Sequence, residues 1–286
     1  MRVFAISDLH VDHQANREWV QQLSESEYTN DVLIIAGDIS DDWAHLENTL
    51  QILQNKFSKV FFVPGNHELW IRRGNYPHSI GKFEQILLLC QQLGIFTNPQ
   101  KIGQGENDSG LWIIPLFSWY TLPEEGGNSL FITKPGNDRT MEIWNDFHCT
   151  QWPDLGQATL SEYFLGLNAS CLEKKYEAPV ISFSHFLPRQ DLIFSTEKER
   201  EGAVLKDPHP YFNFSRVAGC RGLEQQIRKL GSTIHVYGHQ HRNRDRMVDG
   251  VRYISCCLGY PRERARSTLK MPGFGEQPMM ILSTIK

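Results

Sequence analysis

Short clusters of carboxylate, amide and imidazole side chains recur along this chain of 286 residues. Such side chains offer oxygen and nitrogen ligands, a mixed set that suits Mn²⁺, Fe²⁺/Fe³⁺, Zn²⁺ or Ni²⁺. Two such ions about 3.5–4 Å apart can neutralise a phosphoryl group and lower the pKa of a bridging water. The candidate ligands are Asp8, His10, Asp38, Asn66, His185, His239 and His241. Their types therefore predict a two-metal site for phosphoester hydrolysis.

The spacing of these residues indicates how the ligands are shared. Asp8 and His10 lie two residues apart, so both can turn towards one ion. Asp38 follows Gly37, which permits close backbone approach, and is therefore the natural carboxylate to bridge two ions. Asn66 offers a neutral carbonyl oxygen, and the other three histidines complete the two coordination groups.

Strand and helix patterns alternate in the first third of the chain and must position these residues. Apolar runs at 2–7, 31–36 and 59–63 predict strands, and apolar residues at helical spacing predict helices at 14–24, 43–57 and 79–93. This alternation implies a parallel sheet with helices outside it. Polar residues follow each strand, and ligands bind at the carboxyl ends of strands in open α/β sheets, so these loops should converge.

The second half of the chain repeats this device. A strand at 179–184 precedes His185, and a strand at 233–237 precedes His239 and His241. Predicted strands at 245–248 and 251–256 flank Asp249-Gly250, a strong hairpin signal. A last strand is predicted at about 279–284. We expect residues 1–286 to form a single domain.

The segment 117–160 has no clean periodicity and is rich in glycine, proline and aromatic residues. Loops of this length are usually functional or mobile. One interpretation is an irregular excursion packed by its own aromatic side chains. The alternative is a partial lid over the metal site.

Composition excludes several classes of protein. The net charge is −4, so no general nucleic-acid-binding or membrane-binding surface is expected. No run of about twenty apolar residues is present, and the N-terminal residues lack the features of a signal peptide. The six cysteines show no metal-binding or disulfide spacing and are interpreted as free thiols in a reducing compartment. A cytoplasmic location is the expectation.

Five motifs, taken in order, resemble those of the calcineurin-like metallophosphoesterase superfamily. They are the DxH of Asp8–His10, the GDxxD of 37–41, the GNHE of 65–68, the lone strand-end His185 and the GHxH of 238–241. The resemblance implies an α/β fold, a four-layer αββα sandwich of two mixed sheets flanked by helices.

The resemblance also implies roles for individual residues. Asp8, His10, Asp38 and His241 would bind the first metal ion, and Asp38, Asn66, His185 and His239 the second. His67 matches the catalytic histidine of the family, which stabilises the transition state or protonates the leaving oxygen. Asp41 matches the acidic residue that orients that histidine.

Two departures from related branches narrow the expected substrate. Protein serine/threonine phosphatases of this superfamily carry an arginine that binds phosphate at the position of Asp42. An acidic residue there should repel a phosphomonoester dianion, so a small-molecule or nucleotide substrate is favoured over a phosphoprotein. Purple acid phosphatases place a tyrosine after the GD motif, and neither Asp41 nor Asp42 can replace it.

Other polar residues have weaker claims to the site. Arg189, Arg262, Arg264 and Arg266 could contact phosphate, although charged runs are usually just solvated. Glu68 is interpreted as a helix-start cap. The remaining histidines are interpreted as ordinary surface or core residues.

The predicted activity is hydrolysis of a phosphomonoester or phosphodiester by a metal-bridging hydroxide. Two divalent or mixed-valence ions are the expected cofactors, with Mn²⁺ favoured in vitro. The alternative is a catalytically inactive scaffold for protein–protein interaction. Such proteins usually lose the catalytic histidine or several ligands, and here all are retained.

Overall fold

Two β-sheets form the centre of the protein in the computed structural model, which describes residues 1–103, 110–122, 126–196, 209–265 and 277–283. The first sheet contains β1 (Arg2–Ile6), β2 (Val32–Ala36), β3 (Lys59–Val63) and β10 (Met279–Ser283), in the order β10-β1-β2-β3. Strands β1, β2 and β3 are parallel, and β10 joins β1 antiparallel.

The second sheet has the strand order β4-β5-β6-β7-β9-β8. Its strands are β4 (Gln100–Ile102), β5 (Leu111–Pro115), β6 (Val180–Phe183), β7 (Ser232–Tyr237), β8 (Arg244–Val248) and β9 (Val251–Ser255). The four inner strands run parallel, whereas the edge strands β4 and β8 are antiparallel to their neighbours.

Helices flank both sheets. The long ones are α1 (Gln14–Gln22), α2 (Trp43–Lys56), α3 (Ser79–Leu93), α6 (Leu160–Leu167) and α8 (Arg221–Lys229). One-turn helices are α4 (Thr140–Ile143), α5 (Asp146–Cys149), α7 (Ala169–Leu172) and α9 (Pro261–Arg264). Short 3₁₀ helices lie at His67–Leu69, Gln190–Leu192 and Phe214–Arg216.

Successive side chains of a strand point to opposite faces, and this alternation separates the layers of the core. In the first sheet, Val3 and Ile34 face Ile181 and Val236 of the second sheet. Their neighbours Phe4 and Leu33 pack with side chains of α2 such as Leu50 and Leu53. A third cluster joins Ile114 and Tyr253 to Leu223 and Ile227 of α8. The predicted αββα sandwich is confirmed.

Most predicted elements are present with ends shifted by one or two residues. The helix predicted at 43–57 is α2, and the hairpin predicted at Asp249-Gly250 joins β8 to β9 with both residues in the left-handed region. Strands β4 and β5 and the helices from α4 to α9 were not predicted. No described helix is long and apolar enough to cross a membrane. All six cysteines are free.

Candidate metal centre

Five strand ends deliver the predicted ligands to one place. Asp8 and His10 follow β1, Asp38 follows β2, Asn66 follows β3, His185 follows β6, and His239 and His241 follow β7. Two groups of ligand atoms lie close enough to hold a metal ion each. The first is Asp8, His10, Asp38 and His241, and the second is Asp38, His185 and His239. Asp38 belongs to both.

The first group is compact. The Nε2 atoms of His10 and His241 are 2.8 Å apart. His241 Nε2 lies 3.4 Å from Asp8 Oδ1, and His10 Nε2 lies 4.0 Å from Asp38 Oδ2. Ligands about 2.0–2.2 Å from a metal ion stand at such separations from one another.

The second group also includes Asn66. Its Oδ1 lies 3.0 Å from His185 Nε2 and 3.0 Å from His239 Nδ1, and these two nitrogens are 3.2 Å apart. Asp38 Oδ2 is 3.4 Å from His185 Nε2. The same carboxylate oxygen therefore faces both groups, as a bridging ligand must.

Tautomers in the second group are set by backbone carbonyls. His185 Nδ1 donates to Ala36 O at 2.9 Å, and His239 Nε2 donates to Val217 O at 2.9 Å. In the neutral imidazoles the opposite nitrogens then carry lone pairs. These lone pairs point at each other and at the Asn66 oxygen, with no hydrogen between them. A divalent cation bound by these atoms would satisfy all three acceptors, so the residues fit a metal ion.

The backbone at the ligands is unusual. Five ligands have a positive φ, a conformation that non-glycine residues seldom adopt: Asp8, His10, Asp38, His239 and His241. Each such residue costs on the order of 1–3 kcal/mol and persists where surrounding contacts impose it. The strand ends are therefore bent sharply towards the centre at the expense of local stability.

Glycines allow the loops to approach each other. A Cβ on Gly37 would lie 2.5 Å from His185 Nδ1, and one on Gly65 would collide with the Asp38 carboxylate. The predicted close approach beside Asp38 is confirmed, and it takes place on both sides of that residue.

Glu68 has a larger role than the predicted helix cap. Its fully buried carboxylate accepts the backbone N–H groups of Asp38, Ile39, Ser40 and Gly65 at 2.6–2.9 Å. Glu68 thereby ties the loop after β2 to the loop after β3. The GNHE motif, which Glu68 completes, marked this residue in the sequence. It did not indicate the direction in which the side chain points.

His67 lies at the edge of the ligand cluster. Its side chain is 14% exposed, against 1% for His10, so it borders the opening rather than the floor. The backbone N–H of His67 donates to Asp38 Oδ1 at 2.9 Å, and the His67 ring stacks on that of Trp70 with their centroids 3.8 Å apart. Burial and the nearby His241 lower the pKa of His67 to about 3, against the opposing charge of Asp41, so the imidazole is neutral near pH 7.

Asp41 was expected to orient His67, and the structure gives it other partners. Its carboxylate binds Arg72 at 2.6 and 3.2 Å and lies 3.5 Å from Arg73. Asp41 acts on His67 through its charge, which raises the pKa of that imidazole. Arg72 in turn stacks over Trp70 at 4.9 Å. The orienting role of Asp41 remains a prediction.

A second carboxylate holds a ligand of the first group. Glu263 accepts from His241 Nδ1 at 2.8 Å and from the backbone N–H of Tyr260 at 2.8 Å. The Tyr260 ring stacks on His10 at 4.5 Å. Burial lowers the pKa of His241, but the charges of Asp8 and Glu263 outweigh burial and raise it to about 10.

The remaining candidates from the sequence are arginines, and those that the structure describes contact residues other than the candidate ligands. Arg189 is engaged by Asp191 and Glu224 at 2.7 and 2.9 Å. Arg262 lies 5.4 Å over the ring of Tyr260, and Arg264 donates to Gly259 O at 3.0 Å. Arg266 lies outside the described residues. Contact of these arginines with phosphate remains a prediction, and only for Arg189 does the pairing with two carboxylates disfavour it.

The irregular segment reaches the centre through two residues. Asp146 accepts from Asn66 Nδ2 at 2.9 Å, and the Trp144 ring meets His239 edge-on at 5.7 Å. Sequence reasoning missed Asp146 because no local pattern marks one acid among aromatic residues. The segment also packs on itself through Trp119 and Trp152 at 4.9 Å.

Comparisons with known proteins agree with this geometry. The family model described as calcineurin-like phosphoesterase matches residues 1–243. Acyl-carrier-protein phosphodiesterase PptH of Mycobacterium tuberculosis is 27% identical over 274 residues, which is 92% of this chain and 79% of the relative.

A solved structure has the same fold. The crystal structure of phosphopantetheinyl hydrolase PptH from Mycobacterium tuberculosis superposes with a TM-score of 0.70 and covers 93% of this chain and 92% of that one. The two sequences are 23% identical in that alignment, so this likeness is one of fold.

Proposed function

This chain belongs to the calcineurin-like phosphoesterase family and is a metal-dependent phosphoric ester hydrolase, and we propose that its substrates are phosphodiesters cleaved at the two-ion site described above. The observation that carries this proposal is the pair of ligand groups that share Asp38 Oδ2. Buried acceptors that face one another without a hydrogen between them destabilise a protein that binds no metal, so a scaffold without metal would not be expected to keep them.

The two ions would neutralise the phosphoryl oxygens and lower the pKa of the attacking water. The protein side chains then fix the geometry. Asp8, His10 and His241 would hold one ion, Asn66, His185 and His239 would hold the other, and Asp38 would be shared by both. Mixed oxygen and nitrogen ligation is compatible with several metals, and we propose Mn²⁺ as the activating ion in vitro.

His67 would act on the substrate rather than on a metal. Because its imidazole is neutral near pH 7, it can donate one N–H hydrogen bond to a phosphoryl or leaving oxygen. Stacking on Trp70 holds the His67 ring in place, and the hydrogen bond to Asp38 holds its backbone. A donor at the opening of the cluster is suitably placed for an oxygen that leaves towards solvent.

Charges near the opening favour a diester over a monoester. Asp42 caps helix α2, accepting from His45 N at 3.0 Å, and adds a negative charge where related phosphatases carry arginine. Arg73 lies 3.7 Å from Asp42 and is shared with Asp12 and Asp41 at 3.4 and 3.5 Å. The negative charge of Asp42 repels a dianionic monoester more strongly than a diester, which carries a single negative charge.

Similarity to PptH suggests a particular diester. We propose the phosphodiester that joins a phosphopantetheinyl group to an acyl carrier protein as the first substrate to test, with small diesters as the alternative. The half-buried rings of Trp144, Phe212 and Phe214 line the His239 side of the cluster. They offer apolar contact to an organic group attached to phosphate.

The test is hydrolysis of three substrates by the Mn²⁺-loaded protein: phosphopantetheinyl acyl carrier protein, bis-p-nitrophenyl phosphate and p-nitrophenyl phosphate. The expected order of kcat/KM places both diesters above the monoester. His67→Ala should lower turnover by roughly 10²- to 10⁴-fold while two ions stay bound. Turnover of none of the three by protein with two bound ions would favour the scaffold. Loss of metal in His67→Ala would make that histidine a ligand.

A further inference from the structure

Asp146 lies at the start of α5 in the irregular segment, and its side chain is directed into the protein. It is 1% exposed and contacts the ligand loop from 80 residues away in the chain. Its Oδ1 accepts from Asn66 Nδ2 at 2.9 Å and from Trp70 Nε1 at 2.7 Å. Its Oδ2 accepts from Trp144 Nε1 at 2.8 Å.

The bond to Asn66 determines which way that amide faces. A carboxylate only accepts hydrogen bonds, so the NH₂ group of Asn66 must face Asp146. The carbonyl oxygen is then turned towards His185 and His239, 3.0 Å from each. The reversed amide would place two N–H hydrogens among the ligand atoms and repel a cation. Asp146 therefore selects the amide orientation that can bind metal.

The two tryptophan contacts extend this control to neighbouring rings. Trp70 stacks on His67 at 3.8 Å, and Trp144 meets His239 edge-on at 5.7 Å. Both indole N–H groups end on Asp146, so one carboxylate fixes rings on two sides of the second ligand group. Buried charges of this kind are retained where their donors are complete, and here both oxygens have donors.

We propose that Asp146 is a positioning residue of the second ion, acting through the side-chain amide of Asn66. The inference rests on the two-ion site of the proposed function. It assigns the irregular segment a share in metal binding that neither the family motifs nor the ligand spacing contain. The first ion should be unaffected, because its ligands Asp8, His10 and His241 have other partners.

Mn²⁺ binding to the whole protein tests the proposal without any substrate. Asp146→Asn keeps the shape of the side chain but replaces one acceptor by an NH₂ group, which repels either the N–H groups of Asn66 and Trp70 at Oδ1 or that of Trp144 at Oδ2 and so loosens the hold on the Asn66 amide. The expected result is a Kd for the second ion raised roughly 10- to 100-fold, with the first unchanged. The measurements are metal content after equilibration at limiting Mn²⁺ and titration calorimetry. Equal weakening of both ions, or of neither, would overturn the proposal.

Asp138→Asn is the matched control. Asp138 lies in the same segment, and its carboxylate pairs with Arg216 at 2.7 Å. Its replacement should leave both Kd values unchanged. Should it weaken the second ion as much as Asp146→Asn does, the effect would belong to the segment as a whole and the proposed role of Asp146 would be wrong.

A double variant separates orientation from general loosening. Adding Asn66→Asp to Asp146→Asn exchanges acceptor and donor across the same contact, so a ligand oxygen again faces the histidines. Most of the lost affinity for the second ion should return. No recovery in a folded double variant counts against the mechanism.

A milder variant covers the case in which Asp146→Asn does not fold. Trp144→Phe removes one donor to Oδ2 and leaves the Asn66 contact, so a second-ion Kd within roughly threefold of wild type is expected. A loss as large as that expected for Asp146→Asn would contradict the assignment to Asn66.

Wild-type protein that binds fewer than two ions would overturn both this inference and the proposed site. Two bound ions without hydrolysis would overturn the proposed function alone.

Discussion

The two halves of the metal centre are held in different ways. In the first half, His241 is fixed by the side chain of Glu263, which lies in the short helix that follows β9. In the second half, His185 and His239 donate to backbone carbonyls, and Asn66 is fixed by Asp146 from the irregular segment. One half therefore depends on a local turn, and the other on the sheet backbone and a distant loop.

The residues that surround the two halves of the metal centre also differ. Beyond His67, a group of charged residues is paired internally: Asp12, Asp41, Asp42, Arg72 and Arg73. Beside His239 lie the aromatic rings of Trp144, Phe186 and Phe214. This difference suggests that a substrate is selected by charge on one side and by apolar contact on the other. Each of the following predictions tests whether the halves are as separate as the contacts indicate.

The largest effect is expected at the residue that the halves share. Asp38→Asn should lose both ions, because one carboxylate oxygen faces both ligand groups. Asparagine tolerates the positive φ of this position and can still accept the His67 N–H, so the loop should keep its shape. The weakening should exceed the roughly 100-fold typical of a changed ligand partner. Metal analysis after gel filtration measures it.

Asp8→Asn is the comparison for that variant. It changes a carboxylate that belongs to the first group alone, so only one ion should be lost. If Asp38→Asn also loses one ion and keeps the other, the bridge lies elsewhere and the halves are more independent than we infer.

Glu263→Ala should weaken the first ion alone. The variant removes the acceptor that holds His241 Nδ1 and the Tyr260 N–H. Loss of such a partner typically costs about 10- to 100-fold in metal affinity. Glu263→Gln should fall between Ala and wild type, since an amide oxygen can still accept from His241. Equivalent weakening of the second ion, measured by Mn²⁺ titration, would show that the halves are coupled.

Metal binding by the two halves should respond differently to pH. Asp8 and Glu263 outweigh burial and raise the pKa of His241 to about 10, so the first ion must displace a proton from it at neutral pH. Burial lowers the pKa values of His185 and His239, so these are already neutral. Asp38 is common to both ions and does not alter the difference between them.

From about pH 6.5 to 8.5 the first-ion Kd should therefore fall more steeply than the second-ion Kd, by close to a further tenfold per pH unit. Calorimetry in two buffers of different ionisation enthalpy would count the protons released. Equal proton release by both ions would contradict the different protonation of the two halves.

Much of this arrangement could be predicted from the sequence. A short apolar run predicted β1, apolar residues at helical spacing predicted α2 and α3, and the polar residues at strand ends predicted the seven candidate ligands that the structure brings together. The layered sandwich followed from the resemblance in motifs. Strand β4, with its single fully buried residue Ile102, has too few apolar positions to be recognised.

The supporting residues could not be predicted for a physical reason. Asp146, Glu263 and Arg72 act through contacts that depend on where a side chain points after folding, and no local spacing encodes that direction. The positive φ values of Asp8 and His241 are likewise imposed by tertiary contacts, since neither residue favours them strongly. The sequence therefore predicts the candidate ligands better than the residues that hold them.

The smallest effect is expected at the charged rim, and it bears on substrate choice. Asp42→Asn keeps the N-terminal cap of α2, because asparagine caps as well as aspartate, but it removes the negative charge. The Asp42 side chain is 31% exposed, so solvent weakens its field, and roughly a two- to fivefold rise in the ratio of monoester to diester kcat/KM is expected. Asp42→Ala makes the same change in charge and costs about 1 kcal/mol of helix stability. If the ratio rises equally in both variants, charge rather than helix position is responsible. An unchanged ratio would move the origin of diester preference from the rim to the aromatic rings beside His239.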